Sequence, residues 1–326
     1  MFSNWEPERQ SRALEKLSRE MGDTILTALA DDYTQEVQLN PDGQLWIERF
    51  DTGRGKLGSL SSVLAHALLD TIADILGVTV NPENPLLEGE LPIRDCRFAG
   101  AAPPIVIAPA FSIRTPATKI YTLADYVEAG IMTAEQAEIL KDAVREGKNI
   151  LVIGGTGSGK TTLLNALGHA LYEESPDIRI LLIEDTRELQ FPFENKVALR
   201  TKVTGDTKIG MQDLLMFSLR MKPDRIIVGE VRGRAAADML DTWNTGHEGG
   251  MGTIHANSAA DGGTRLMDML RQADMPADVA MRKIATSIDL FVSLQKRHST
   301  GGKRRLEEIL RLDGVKDGEF VFEALA

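Results

Sequence analysis

Residues 150–171 read I-L-V-I-G-G-T-G-S-G-K-T-T-L-L-N-A-L-G-H-A-L. The apolar run Ile150–Ile153 is strand-sized, and Gly154 to Thr161 fits G-x-x-x-x-G-K-[ST] at every fixed position. Leu163–Leu171 then continues with helical character. A chance glycine-rich turn would not also have strand, loop and helix in register. The candidate phosphate-binding residues are therefore Gly154, Gly155, Thr156, Gly157, Ser158, Gly159, Lys160, Thr161 and Thr162. Glycines let backbone N–H groups turn inward around a β-phosphate at a helix N-terminus. In such a loop Lys160 neutralises β/γ oxygens, and the Thr161 hydroxyl takes one Mg²⁺ position. ATP with Mg²⁺ is the expected ligand.

Downstream, short Ile/Val/Leu runs alternate with helical segments: Ile180–Ile183, Val197–Val203, Arg225–Val228 and Gly252–Ile254. That pattern predicts an α/β fold with a mostly parallel sheet covered on both faces. From Asp289 the chain reverts to alternating strands, an expected antiparallel edge. In a parallel sheet the strand C-termini share one edge, so acidic residues there converge on the phosphates. Glu184 and Asp185 end one strand and Glu230 follows another. These three are the candidate catalytic and Mg²⁺-binding carboxylates, with helix capping as the competing reading. Gly229 stands where the common acidic-strand motif has Asp.

Gly246–Ala256 (G-H-E-G-G-M-G-T-I-H-A) places two histidines around a short strand. The absence of a Cys or carboxylate partner set speaks against zinc. His255 at a strand end suits a γ-phosphate sensor. A plain core or capping histidine is the alternative for it, and for His247 also.

Upstream, Arg9–Ala30 carries apolar residues at helical spacing. Glu36–Leu39 and Leu45–Phe50 flank the turn Asn40-Pro41-Asp42-Gly43. Ser59–Leu76 reads as a second helix ended by Gly77, and 97–102 and 105–114 as two strands around Pro103-Pro104. The order helix, hairpin, helix, hairpin predicts a smaller α+β domain over 1–115. A linker over 116–121 and the motor domain over 122–326 follow. Thr122–Ala129 and Thr133–Glu146 are expected helices, the second opening on a capping-box spacing at Thr133 and Gln136.

The 326 residues suffice for two ordinary domains, and no apolar run approaches the ~18–20 residues that cross a bilayer. Met1–Arg12 is polar, unlike a signal peptide. The single cysteine, Cys96, excludes an intrachain disulfide and suits a reducing, cytoplasmic setting. A net charge of −11 argues against coating nucleic acid. One basic cluster, Lys296, Arg297, His298, Lys303, Arg304 and Arg305, flanks Ser299–Gly302. It reads as a solvated hairpin tip rather than a binding patch.

Taken together and in this order, four motifs resemble the secretion (traffic) ATPases: the phosphate loop, I-E-D-T-R-E-L at Ile183–Leu189, P-D-R-I-I-V-G-E-V-R-G at Pro223–Gly233, and the G-H…T-I-H-A box. N-P-D-G-Q-L-W at Asn40–Trp46, E-G-E-L-P at Glu88–Pro92, R-F at Arg97–Phe98 and F-S-I-R at Phe111–Arg114 extend the likeness over nearly the whole chain. They resemble the conjugal-transfer ATPases of the TrbB type, within the type IV secretion traffic ATPases. The resemblance implies a RecA-like motor domain in a homohexameric ring that hydrolyses ATP. It also implies a cytoplasmic, peripheral place at the inner membrane, with membrane components of a type IV secretion or conjugation machine as partners. ATP is implied to bind between the two domains, with Arg97 and Arg114 reaching the γ-phosphate; a surface ion pair is the alternative for each. No sequence-specific nucleic acid is expected. Competing functions are a nucleotide-switched docking scaffold with slow hydrolysis, and a DNA-translocating ring, which the acidic balance disfavours.

Overall fold

A computed structural model describes residues 7–49, 52–116, 120–202, 207–297 and 303–326. The chain forms two compact units that divide after residue 118, apart from the 203–208 segment.

The first unit contains α1 (Pro7–Ala30), β1 (Thr34–Leu39), β2 (Gln44–Arg49), β3 (Gly53–Ser59), α2 (Ser62–Leu76), β4 (Leu86–Glu90), β5 (Arg97–Ala101) and β6 (Ala110–Arg114). Its sheet runs β3-β2-β1-β6-β5-β4 with every pair antiparallel. Leu17, Met21, Ile25 and Leu29 of α1 and Leu68, Leu69 and Ile72 of α2 are buried with Val37, Phe98 and Ile113 of the sheet. Two expectations are corrected here. Ser59 belongs to β3, a strand whose G-R-G-K-L-G-S sequence has no apolar alternation to announce it; the helix begins behind the cap Ser61. Residues 105–109 are not strand, and only Ala110–Arg114 pairs with a neighbour. Pro103, Pro104 and Pro109 lack the N–H a ladder needs. With β3 and β4 added, the two separate hairpins become one continuous sheet.

The second unit contains α3 (Leu123–Glu128), α4 (Ala134–Arg145), β7 (Ile150–Ile153), α5 (Lys160–Glu174), β8 (Ile180–Glu184), β9 (Lys196–Arg200), α6 (Met211–Ser218), β10 (Arg225–Val228), α7 (Ala235–Trp243), β11 (Met251–Ile254), α8 (Ala259–Gln272), α9 (Ala277–Ser287), β12 (Leu290–Arg297), β13 (Lys303–Lys316) and β14 (Glu319–Ala324). The capping boxes at Thr122 and Thr133 are both formed, so α3 and α4 start where side chains satisfy their first N–H groups.

Sheet order is β14-β13-β12-β7-β11-β10-β8-β9. Strands β12 through β9 are mutually parallel, while β13 and β14 form the antiparallel edge. Strand β12, expected within that edge, also pairs in parallel with β7. Every residue of β7 and β8 is buried. Helices α4 and α5 cover one face, and α7, α8 and α9 the other. This two-sided burial is why these strands read as unbroken apolar runs. The turn at Ser299–Gly302 and the residues before Pro7 lie outside the described residues. No helix among the described residues is long and apolar enough to cross a membrane.

Candidate active site

The loop after β7 divides its glycines between two tasks. A Cβ on Gly154 would lie 2.2 Å from the Leu294 carbonyl oxygen, so this glycine lets the loop press against β12. Gly155 and Gly157 face open space, leaving the outer side of the loop clear for a ligand. Gly157 (φ 72°) and Gly159 (φ 97°) adopt left-handed backbone that other residues resist. Helix α5 then begins behind Gly159 with no side chain capping its first N–H groups, and a helix N-terminus of this kind binds phosphate.

Lys160 is buried, and its Nζ donates to the carbonyls of Gly154 (2.9 Å) and Gly155 (3.1 Å). It also lies 3.2 Å from Nδ1 of His255. Nε2 of the same imidazole is 3.1 Å from Oε1 of Glu230. Arg232 closes the chain with a fork onto Glu230, Nε to Oε1 at 2.7 Å and Nη2 to Oε2 at 3.0 Å. A lysine ammonium can only donate, so Nδ1 accepts, and Nε2 carries the proton that Glu230 receives. Neutral imidazole satisfies both contacts. Burial, then the Lys160 charge, hold the His255 pKa below its ordinary value, with Glu230 opposing.

Glu230 sits in a turn fixed to both neighbouring strands. Gly229 N donates to Ile183 O, Val231 N to Thr253 O, and Thr253 Oγ1 to Gly229 O. Burial pushes the Glu230 carboxyl upward. The Arg232 guanidinium, with His255 and Lys160, overrides this and holds the pKa below the ordinary carboxylate value. Glu230 and Arg232 lie in the loop past β10, where no strand alternation places their side chains, so only the fork itself reveals the pair.

Glu184 is buried at the end of β8, where its Oε1 accepts from the backbone N–H groups of Glu188 and Leu189, each at 2.8 Å. Asn165 on α5 clamps the same loop through Glu188 O and Gln190 N. Thus the I-E-D-T-R-E-L box is built as a turn around the Glu184 carboxyl. Burial raises that carboxyl to about 7. A Cβ on Gly229 would lie 3.1 Å from Glu184 Cγ. Glycine at 229 thus leaves the Glu184 side chain room beside β10. Asp185 is exposed and accepts from Thr201 Oγ1 at 3.0 Å.

Thr161 and Thr162, in the first turn of α5, are half-buried. Among the described residues, no three His, Cys, Asp or Glu side chains converge as a metal cage. A Mg²⁺ shared with phosphate oxygens and water requires only one or two protein ligands, which Thr161 and an ionised carboxylate can supply. A cleft of about 590 Å³ opens beside the loop, lined by Gly155, Thr156, His255 and the α8 residues Asp261, Thr264 and Arg265 among others.

His247 lies apart from this chain, with Nδ1 3.1 Å from Pro223 O. The glycines of its box accommodate bulky neighbours. A Cβ on Gly249 would meet Arg225 Nη1 at 1.1 Å, and one on Gly250 would meet the Trp243 indole at 2.3 Å. In the first unit, Arg97 and Arg114 are directly opposite each other on β5 and β6, and both are exposed. On their other sides stand acids, Glu90 of β4 opposite Arg97 and Glu36 of β1 opposite Arg114.

The second unit, with its phosphate loop at the β7–α5 junction, has the architecture of a RecA-like P-loop motor domain, preceded by a smaller α+β domain. The Legionella pneumophila ATPase DotB shares the fold, with a TM-score of 0.60 at 19% identity over 95% of this chain and 82% of that one. The family model described as type II/IV secretion system protein matches residues 25–304, and the chain belongs to that family. It is 40% identical to the conjugal transfer protein TrbB of Rhizobium radiobacter, over 97% of this chain and 95% of that protein. The probable conjugal transfer protein TrbB of Sinorhizobium fredii is likewise 40% identical, over 96% and 94%.

Proposed function

We propose that this protein binds ATP–Mg²⁺ at the loop 154–162, hydrolyses it to ADP and phosphate, and drives a conjugative type IV secretion machine. The observation that carries this reading is the contact chain from Lys160 through His255 to Glu230. Without nucleotide, Lys160 is held by loop carbonyls and by His255. An arriving β/γ-phosphate offers the ammonium a stronger, charged partner. Lys160 then turns to the phosphate, and His255 Nδ1 loses its donor. His255, released from Lys160, is then free to turn to the γ-phosphate when one is present, and Glu230 is coupled to that change through Nε2. Thr161 holds Mg²⁺ on the nucleotide. Glu230, ionised at neutral pH, orients the attacking water; Glu184 contributes by shaping the loop beside it. Positioning and charge supply most of the catalysis of phosphoryl transfer.

Arg97 and Arg114 are the residues of the first unit proposed to contact the γ-phosphate, on the likeness of the R-F and F-S-I-R motifs that carry them to those of the secretion ATPases. Relatives named for conjugal transfer support a place in a conjugation machine, and the resemblance to the traffic ATPases implies a homohexamer at the cytoplasmic face of the inner membrane, partnered by membrane components. The test is turnover by purified protein with Lys160→Ala beside wild type. Activity should vanish in the variant, and near-normal turnover there would overturn the reading. A wild type that binds ATP but hardly hydrolyses it would make the protein a docking scaffold instead.

A further inference from the structure

The basic cluster around the β12–β13 turn has no part in the chemistry above, yet one of its members reaches the phosphate loop. We propose that Arg304 is a further nucleotide-binding residue, gripping the α-phosphate end that ATP and ADP share. This rests on the loop being an ATP site.

Arg304 lies on β13, two strands from the strand that feeds the loop. Its side chain nevertheless crosses to the start of α5. A Cβ on Gly159 would sit 3.3 Å from both Cδ and Nε of Arg304, and 3.5 Å from Leu294 Cδ2. The arginine stem is therefore laid over the last loop glycine, with Leu294 of β12 beside it. Arg304 is half-buried, whereas Arg305, next on the strand, is exposed, as strand alternation requires.

Sheet order fixes which part of the nucleotide Arg304 would meet. The loop strand β7 lies between β11 and β12. On the β11 side stand His255, against Lys160, and beyond it Glu230. A P-loop lysine reaches β/γ oxygens, so the γ-phosphate belongs on that side. The polyphosphate is a short linear chain held at its middle by the helix N-terminus. Its other end must leave towards β12 and β13, where Arg304 lies. A guanidinium there can fork onto α-phosphate oxygens, and its partly covered stem limits the entropy lost on doing so. Sequence spacing gives no hint of this, since 145 positions separate Gly159 from Arg304.

The experiment measures ATP and ADP affinities and ligand-free melting temperatures for the full chain, as wild type, Arg304→Ala, Arg304→Gln and Arg305→Ala. Losing a charge-assisted phosphate contact predicts binding weaker by about tenfold or more, equally for ATP and ADP, in both Arg304 variants. Arg305→Ala should bind as wild type does. Wild-type affinities in Arg304→Ala overturn the inference. So does a loss confined to ATP, which puts Arg304 at the γ-phosphate. An equal loss in Arg305→Ala also overturns it, by assigning the effect to the general field of the cluster. A melting temperature lowered in both Arg304 variants reduces the residue to packing. If wild type itself binds neither nucleotide, the proposed ATP site fails and Arg304 with it; normal wild-type binding with an unaffected Arg304→Ala overturns the inference alone.

Discussion

Strands β8 and β10 lie side by side in register, and each delivers a glutamate to the same edge of the sheet. Glu184 ends β8 buried, receives two backbone N–H groups, and has its pKa raised to about 7. Glu230 lies two residues past β10, is clamped by Arg232 and faced by His255, and has its pKa lowered. The same residue type at neighbouring strand ends is thus bonded to its own loop in one case and held anionic by a guanidinium in the other. Separation of this kind is how paired carboxylates acquire different roles. Counting acids at strand ends cannot reveal it, because the difference lies in what surrounds each carboxyl.

The sharpest way to break the comparison is Glu230→Gln. Turnover should fall by at least about a hundredfold with ATP binding retained, because charge is lost and shape kept. Single-turnover hydrolysis together with nucleotide titration checks this. If Glu184→Gln proves the more damaging, the two roles are reversed.

Gly229→Asp restores the common acid and tests whether Glu184 fills its place. The new side chain would crowd Glu184 Cγ, 3.1 Å from the Cβ position. It also adds a negative charge beside a buried carboxyl. A stability loss of about 1–3 kcal/mol is expected in denaturant titration. Unchanged stability would show that Glu184 can vacate the site.

Arg232→Ala should act on Glu230 alone. Without the guanidinium, burial regains control and the Glu230 pKa rises. The acid limb of the pH–kcat profile should therefore move to higher pH, with turnover near neutrality reduced about tenfold or less. An acid limb that stays in place would separate Glu230 from the titration that governs activity.

Glu184→Gln should have the smallest effect on turnover, within about threefold, since an amide oxygen can still accept the two N–H groups. Its signature is in stability. The folded pKa, about 7, lies above the ordinary 4.5, so folding favours the neutral carboxyl. This contribution is complete below about pH 4.5 and is lost as pH rises through about 7. The variant cannot lose it. Relative to wild type it should gain melting temperature from pH 5 to pH 8, and a constant difference would contradict the raised pKa.

Much of the second unit was legible because its signals are local. The continuous apolar runs of β7, β8 and β10 follow from burial on both sheet faces, and Gly154–Thr161 needs only its own backbone to form an anion cradle. The first unit was harder to read. β3 has few apolar residues, β4 is a short strand, and the prolines at 103, 104 and 109 cut short what composition suggested was strand.

By itself, then, the sequence determined the phosphate loop, the α/β character of its domain and the set of acidic and basic side chains available to it. Each depends on neighbours within a few residues, where backbone geometry and apolar periodicity act directly. Tertiary structure alone decided that Glu184 accepts two N–H groups of its own loop, that Glu230 shares a chain with His255 and Lys160, that Glu184 lies against Gly229, and that Arg304 lies over Gly159. Those outcomes turn on strand order and on which charges meet after burial. Coulomb and desolvation energies depend on distance through space, and separation along the chain does not encode it.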